Sequence, residues 1–213
     1  MRLTQYLTEY VYTGSVESDF DIEYIWGVLQ KDCKPYIKQL KGDLLYRGSY
    51  KSNPAGLMKV TPRKDRKPMS INPIVQITLD KFFNKKFGWK ARSTGVFCTG
   101  DFSVAGQYGN TAYSFWPIGP FKFLWHPQVP DLFEALWDIQ NTWGYWIDHP
   151  EILESFVKDY TNKNFQKAIK SKHEIMISCK NYYLVRSSNS YDAELIDNMS
   201  GRISQVNDPD DIK

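Results

Sequence analysis

Gly95-Val96-Phe97-Cys98-Thr99-Gly100-Asp101-Phe102-Ser103-Val104-Ala105-Gly106-Gln107-Tyr108 is the stretch from which the fold is read. Val96, Phe97 and Cys98 make a short apolar strand between polar neighbours, and Ser103 to Gly109 suits one or two turns of helix. The same mixture continues on both sides. Upstream, Ile22, Ile25, Trp26, Leu29, Tyr36, Ile37 and Leu40 predict a helix from a Ser18-Asp19 cap to about Lys41, kinked or split at Pro35. Asp43 to Gly48 reads as a short strand ending at a glycine. Residues 51–73 carry Pro54, Gly56, Pro62, Pro68 and Pro73 and read as a long loop. Ile74 to Phe87 returns to helical spacing, with Ile74, Ile77, Phe82 and Phe83 as its buried face and Gly88 as its stop.

Downstream, Thr111 to Trp125 is strand-like and aromatic, broken by Pro117 and Pro120, and Trp116 to Trp125 is expected as a buried hairpin rather than a docking surface. Helices are expected over Asp131 to Asn141 and over Pro150 to Tyr160, the second with proline at a tolerated first-turn position. Glu174 to Arg186 reads as two short strands about a Lys180-Asn181 turn. The chain turns polar from Ser187, apart from an amphipathic piece at Ala193 to Ile196. Short strands with interspersed helices, and no regular βαβ alternation, predict an α+β fold. The expected organisation is a helical segment over 1–42, a main domain over 43–190 and a polar tail over 191–213.

Composition narrows the function classes. Of 213 residues, 42% are hydrophobic and 24% charged, which is a globular balance with enough chain to bury a core unaided. Aromatics reach 15%, in excess of need, and serve either a dense core or flat stacking surfaces. A net charge of +3 does not make nucleic acid the default partner. The basic run Arg63-Lys64-Asp65-Arg66-Lys67 is either a solvated loop or a clasp for phosphate groups. Cys33, Cys98 and Cys179 are too scattered for a disulfide framework or a zinc site, and His126, His149 and His173 lack metal-ligand spacing. No metal is expected. No apolar run approaches the roughly 18 residues of a membrane span, so the expectation is a cytoplasmic protein without a membrane partner.

Three segments, taken in order, resemble the ADP-ribosyltransferases. Leu44-Leu45-Tyr46-Arg47-Gly48-Ser49 is similar to the strand that opens their NAD site, where toxin-type members carry Arg and polymerase-type members carry His-Gly-Ser or His-Gly-Thr. Gly95 to Tyr108 is similar, without a gap, to their Gly-x-Tyr-Phe-Ala…Ser-Lys-Ser-x-x-Tyr segment. His173-Glu174-Ile175-Met176-Ile177 followed by Tyr182-Tyr183-Leu184-Val185 is similar to their Glu-Tyr-Ile-Val strand and the returning Tyr-Leu strand. The resemblance spans residues 44 to 185. It implies an ADP-ribosyltransferase fold, a split core of short strands with flanking helices, and a chain that takes NAD as substrate.

The implied roles follow the chemistry of breaking a ribose–nicotinamide bond through a sugar cation. Glu174 would hold the ribose and stabilise the developing positive charge; its plainer role is a solvated glutamate at a strand edge. Phe97 and Tyr108 would stack on the nicotinamide ring, or else pack in the core. Gly48 would offer its backbone N–H and C=O to the carboxamide, with Ser49 beside it, or simply make a turn. Arg47 suits a diphosphate or ribose contact through its forked guanidinium, or a structural salt bridge. Thr99 would tie the site's strands together, or lie on the surface.

This chain departs from the pattern at three positions. Arg47 stands where polymerase-type members have histidine, which disfavours poly-ADP-ribose synthesis. Ala105 replaces a serine that bonds the carboxamide. Lys172 replaces the second acid of arginine-modifying members. The resemblance thus implies mono-ADP-ribosyl transfer from NAD to a macromolecular acceptor, protein or nucleic acid. The alternatives are an NAD glycohydrolase or a non-catalytic binding module of the same fold. Arg63 to Pro68 has no counterpart in the family core; together with Met1 to Tyr10 it is similar to tailed-phage proteins of this fold, which implies a host cytoplasm.

Overall fold

A computed structural model describes residues 22–50, 56–64, 66, 72–143 and 150–186. The strands run from three to eight residues and gather into two small antiparallel sheets. The larger has the order β1 (Tyr46–Ser49), β4 (Thr111–Ile118), β7 (Asn181–Arg186), β2 (Leu57–Val60). The smaller has the order β3 (Val96–Cys98), β6 (Ile175–Ser178), β5 (Lys122–Trp125). A single pair outside these ladders, Tyr46 with Thr99, bridges β1 to the end of β3. With helices packed around both sheets, the class is α+β, as the sequence predicts.

Trp116 and Trp125 are buried as expected, but the segment between them is not a hairpin. β4 pairs with β1 and β7 in one sheet, whereas β5 pairs with β6 in the other. Gly119 bonds back to Asp32 through its N–H at 2.8 Å, and the chain then crosses to the second sheet. Pro117 is tolerated inside β4 because β1 has already ended: the ladder reaches only Ser114, with one further bond from Phe115 N–H to Leu45 C=O. By alternation, the donor that Pro117 lacks would point to that vacated side. The expected long loop over 51–73 contains β2, whose Met58 and Val60 are buried while Lys59 is exposed. Flanking prolines and glycine hid this short edge strand in the sequence.

The first helix divides as Pro35 requires, into α1 (Ile22–Asp32) and α2 (Lys34–Ile37). α3 (Pro73–Phe87) is capped by the Asn72 side chain and stopped by Gly88 at φ 75°. Its buried face is Val75, Leu79 and Phe83, not the expected Ile74 and Ile77, which are 53% and 69% exposed. Both sets obey helical spacing, and only the packing surface chooses between them. Then come α4 (Ala91–Thr94), α5 (Phe102–Gln107), α6 (Leu132–Trp143) and α7 (Pro150–Lys158). Neither α4 nor α8 (Phe165–Ser171) is expected from the sequence. The Ser18-Asp19 cap, Met1 to Tyr10, His149, Asp65, Lys67, Pro68 and everything from Ser187, including Ala193 to Ile196, lie outside the described residues.

Strand alternation divides the interior in two. Val96, Cys98, Ile175 and Ile177 of the smaller sheet join α1, α2 and the larger sheet in one core. Phe97, Met176 and Leu124, on the opposite face, join Val75, Leu79 and Phe83 of α3 and residues of α6 and α7 in the other. No helix of the described residues is long and apolar enough to cross a membrane.

α8 packs closely on the chain just after β3 at Gly100, where a Cβ would overlap the carbonyl oxygen of Ile169. Gly100→Ala is therefore expected to lower the melting temperature by roughly 2–12 °C, from about 1–3 kcal/mol of overpacking. Gly27→Ala, whose added methyl meets open space in α1, should not lower it. Thermal unfolding followed by circular dichroism checks the pair, and equal melting temperatures would contradict the packing described.

Candidate active site

β1 and β3 face each other across a seam that begins where the Tyr46–Thr99 bridge ends. Tyr46 N–H donates to Thr99 C=O at 2.7 Å and Thr99 N–H to Tyr46 C=O at 3.0 Å. Tyr46 thus directs its peptide groups toward β3, Arg47 directs its own toward β4, and Gly48 again toward the seam. Past the bridge no partner for the Gly48 N–H or C=O occurs among the described residues. Glycine is required here for a second reason: a Cβ on Gly48 would overlap the Ala105 carbonyl oxygen, because α5 lies directly on β1. Ser49 ends β1 opposite Thr111, and Gly109 passes close against its backbone.

Arg47 lies on β1, Thr99 directly follows β3, and Glu174 directly precedes β6 on the other side of β3. Arg47 Nη1 donates to the Phe97 carbonyl at 3.0 Å. Thr99 is buried, not a surface threonine; its hydroxyl donates to Lys172 C=O at 2.7 Å and accepts from Asp101 N–H at 3.2 Å. Lys172 adopts a left-handed backbone at φ 63°, and its ammonium pairs with Asp101 at 2.9 Å. That pair, with two backbone N–H donors, holds the Asp101 carboxyl below its usual range. Glu174 stands one step past the Cys98–Ile175 rung, so it lies across from Thr99. Its N–H donates to Pro130 C=O at 2.7 Å.

The Glu174 side chain is not the solvated strand-edge glutamate that was its alternative reading. Arg92 of α4 reaches both carboxylate oxygens through Nη1, at 3.0 and 3.3 Å. The two side chains are only 9% and 15% exposed. Burial pushes the Glu174 carboxyl above its ordinary value, and the Arg92 guanidinium opposes that rise. Asp131, Arg66, Tyr108 and Tyr160 complete the charged and titratable surroundings. α4 holds Arg92 rigidly, since buried Asp80 of α3 accepts from the backbone N–H of Arg92 at 2.8 Å and from both Ser93 N–H and hydroxyl.

The aromatic pair takes a different form from the expected clamp. Phe97 is engaged by the protein's own cations: the guanidinium carbons of Arg66 and Arg92 lie over its ring, 3.9 and 4.4 Å from the centroid. Tyr108, at the end of α5, is 54% exposed and donates its hydroxyl to Asp131 at 2.7 Å. Asp131 also caps α6 by accepting from the N–H groups of Phe133 and Glu134. Arg92 and Asp131 are the residues that sequence reading missed. Arg92 lies only three positions before the Gly95 of the motif, but nothing local says that it is buried against a carboxylate 82 residues away.

The three cysteines and His126 offer no reactive group. Burial raises the thiol pKa values of Cys33, Cys98 and Cys179, the last to about 12, so none is a thiolate nucleophile near neutrality. His126 stacks on Phe156 with ring centroids 5.1 Å apart and accepts from Gln128 N–H, and burial keeps it neutral. No group of residues among those described could hold a metal ion. Comparison of the chain with family models, curated proteins and solved structures finds no match, so the reading of this site rests on its own geometry.

Glu174 should titrate above the ordinary glutamate value of 4.5, and higher still in Arg92→Gln, which removes the main opposing charge. A carboxyl raised in this way binds its proton more tightly folded than unfolded. Its contribution to stability is full below 4.5 and is lost as pH rises through the folded value. Carbon-13 NMR of the glutamate carboxyls, with Glu174→Gln for assignment, reads this directly. A Glu174 resonance titrating at or below 4.5 would contradict the burial.

Proposed function

We propose that this protein has an ADP-ribosyltransferase fold, binds NAD as substrate, and transfers its ADP-ribose to a macromolecular acceptor, protein or nucleic acid, with release of nicotinamide. The observations that carry the reading are the seam past the Tyr46–Thr99 pair, which Gly48 faces, and the buried, Arg92-paired Glu174 that lies across from Thr99 just before β6. A β core split at that seam, held there by the Tyr46–Thr99 pair, is the arrangement such a fold implies.

The groups present fit the substrate's parts. An amide needs one acceptor and one donor side by side, and the seam-facing N–H and C=O of Gly48 supply both. Glu174 supplies negative charge where the C1′–N bond breaks, its electron pair leaving with nicotinamide. The acceptor nucleophile then bonds to C1′ and gives up its proton. Arg92 favours the ionised Glu174 carboxylate against its burial, and Arg47 brings a fixed positive charge to β1 beside Phe97. The stacking role falls more readily to the half-exposed ring of Tyr108 than to Phe97, over which a cationic ring would meet Arg66 and Arg92.

Glu174→Gln keeps the shape and removes the charge, and is expected to reduce transfer by roughly 10²–10³-fold. The assay is labelled NAD with cell lysate, followed by identification of the labelled species and of free ADP-ribose. Near wild-type turnover in the purified, folded variant would overturn the role of Glu174. Label appearing only as ADP-ribose would make water the acceptor.

Tyr108→Ala is expected to weaken nicotinamide by about 1–2 kcal/mol, the worth of one desolvated stacking face. Tyr108→Phe keeps the ring, releases Asp131, and should retain the affinity. Calorimetric titration of nicotinamide into both variants decides the matter. Equal affinity in Tyr108→Ala and the parent would remove Tyr108 from the site.

A further inference from the structure

Tyr108 is held at both ends of its length. Its backbone lies against Gly48, where a Cβ would come within 2.9 Å of the Tyr108 carbonyl carbon. At the far end of the side chain, the hydroxyl donates to Asp131 Oδ2 at 2.7 Å. Pro130, the residue before Asp131, accepts the Glu174 N–H at 2.7 Å, so the ring runs from Gly48 to the corner that adjoins Glu174. Asp131 is itself fixed, because its Oδ1 caps α6 by accepting from the N–H groups of Phe133 and Glu134. Anchored in this way, Tyr108 is still 54% exposed. The charge around it is one-sided. Glu174 is paired with Arg92 and Asp101 with Lys172, whereas Asp131 has no ion pair among the described residues. Burial, the hydrogen bond to Asp131 and the charges of Asp131, Glu174 and Glu134 all push the Tyr108 hydroxyl up, so near neutrality the proton stays on the tyrosine.

We propose that Asp131 is a specificity-determining residue, which makes the Tyr108 face prefer a flat cationic ring over a neutral ring of the same shape. A phenol that donates to a carboxylate is polarised by it, and its ring face becomes more negative. A cation over that face is then held both by the ring and by the uncompensated charge of Asp131. Phe97 is the opposite case, since its ring already carries the guanidinium groups of Arg66 and Arg92. The natural ligand rests on the NAD reading: it is the positively charged nicotinamide ring of the oxidised dinucleotide, and the neutral ring of the reduced form gains nothing here. When the electron pair of the C1′–N bond passes to the ring, nicotinamide leaves neutral. The face that holds the substrate thereby loses its added attraction for the product. The guanidinium group of an acceptor arginine is a poorer match, because the donor and acceptor of Gly48 beside the ring suit a carboxamide.

The test is calorimetric titration of neutral nicotinamide and of the cation 1-methylnicotinamide into the full chain and its Asp131→Asn and Glu154→Gln variants. Asparagine keeps the α6 cap and an acceptor for the Tyr108 hydroxyl but removes the charge. Glu154, on α7, pairs with Lys85 of α3, and its variant makes the same change in net charge. The full chain is expected to prefer the cation. Asp131→Asn should weaken 1-methylnicotinamide by roughly three- to tenfold while nicotinamide holds. Glu154→Gln should bind both as the parent does. If Asp131→Asn does not fold, Asp131→Ser keeps a capping oxygen and is read by the same ratio of affinities. Failure of the parent to bind the cation overturns the proposal. So does a preference that survives loss of the Asp131 charge, an equal weakening of both ligands, or an equal loss in Glu154→Gln. An arginine amide that binds more tightly than 1-methylnicotinamide, and loses affinity in Asp131→Asn, overturns it too. The NAD reading is judged separately by turnover. A cation preference that depends on Asp131, in a protein that never consumes NAD, supports the proposal and removes that reading. NAD turnover with a preference indifferent to Asp131 does the reverse.

Discussion

Tyr46 and Thr99 exchange two backbone hydrogen bonds, and past that pair the chain has to satisfy or expose whatever the parting strands leave open. Most of the candidate site follows from this constraint. Because Tyr46 faces β3, Arg47 must face β4 and Gly48 must face the seam, so an amide-shaped donor and acceptor are left there without a partner among the described residues. On the other strand the last rung is Cys98 with Ile175, so Glu174 falls just beyond the ladder. Its backbone is then free to bond Pro130 and bring the start of α6 alongside. A longer ladder between β1 and β3 would take up the Gly48 groups in ordinary pairing.

The second organising element is electrostatic. A carboxylate that is only 15% exposed is costly unless paired, and Arg92 supplies the pair from a four-residue helix too short to hold a cation by itself. Asp80, buried on α3, fixes that helix by accepting three hydrogen bonds from Arg92 and Ser93. α3 also carries Gln76, which bonds Arg66, so one helix anchors both arginines that lie over Phe97. The rigid core thus sets the position of the charges, and the charges in turn set what the seam can bind.

Much of this was legible in the residues. Val96 to Cys98 had to be a strand and Gly88 a helix stop, because the first is a short apolar run and the second needs the left-handed backbone that glycine alone adopts cheaply. Pro35 divides its helix for an equally local reason: it lacks the donor that an internal turn requires. Arg47, Thr99 and Glu174 were visible as an ordered set, although nothing in their spacing could place Thr99 across from Glu174.

What the sequence by itself determined was therefore most of the elements, though not β2, α4 or α8, and the chemical types of the residues at the seam. All of these depend on interactions spanning a few residues. Only the tertiary structure decided which sheet each strand joins, so that Trp116 and Trp125 belong to different sheets rather than one hairpin. It alone chose Val75, Leu79 and Phe83 over Ile74 and Ile77 as the face of α3, since two stripes of the same helix satisfied the same periodicity. It alone brought Arg92 to Glu174 and the cations of Arg66 and Arg92 onto Phe97. Those contacts join residues far apart in the chain, and their strength comes from burial, a property that no local pattern carries.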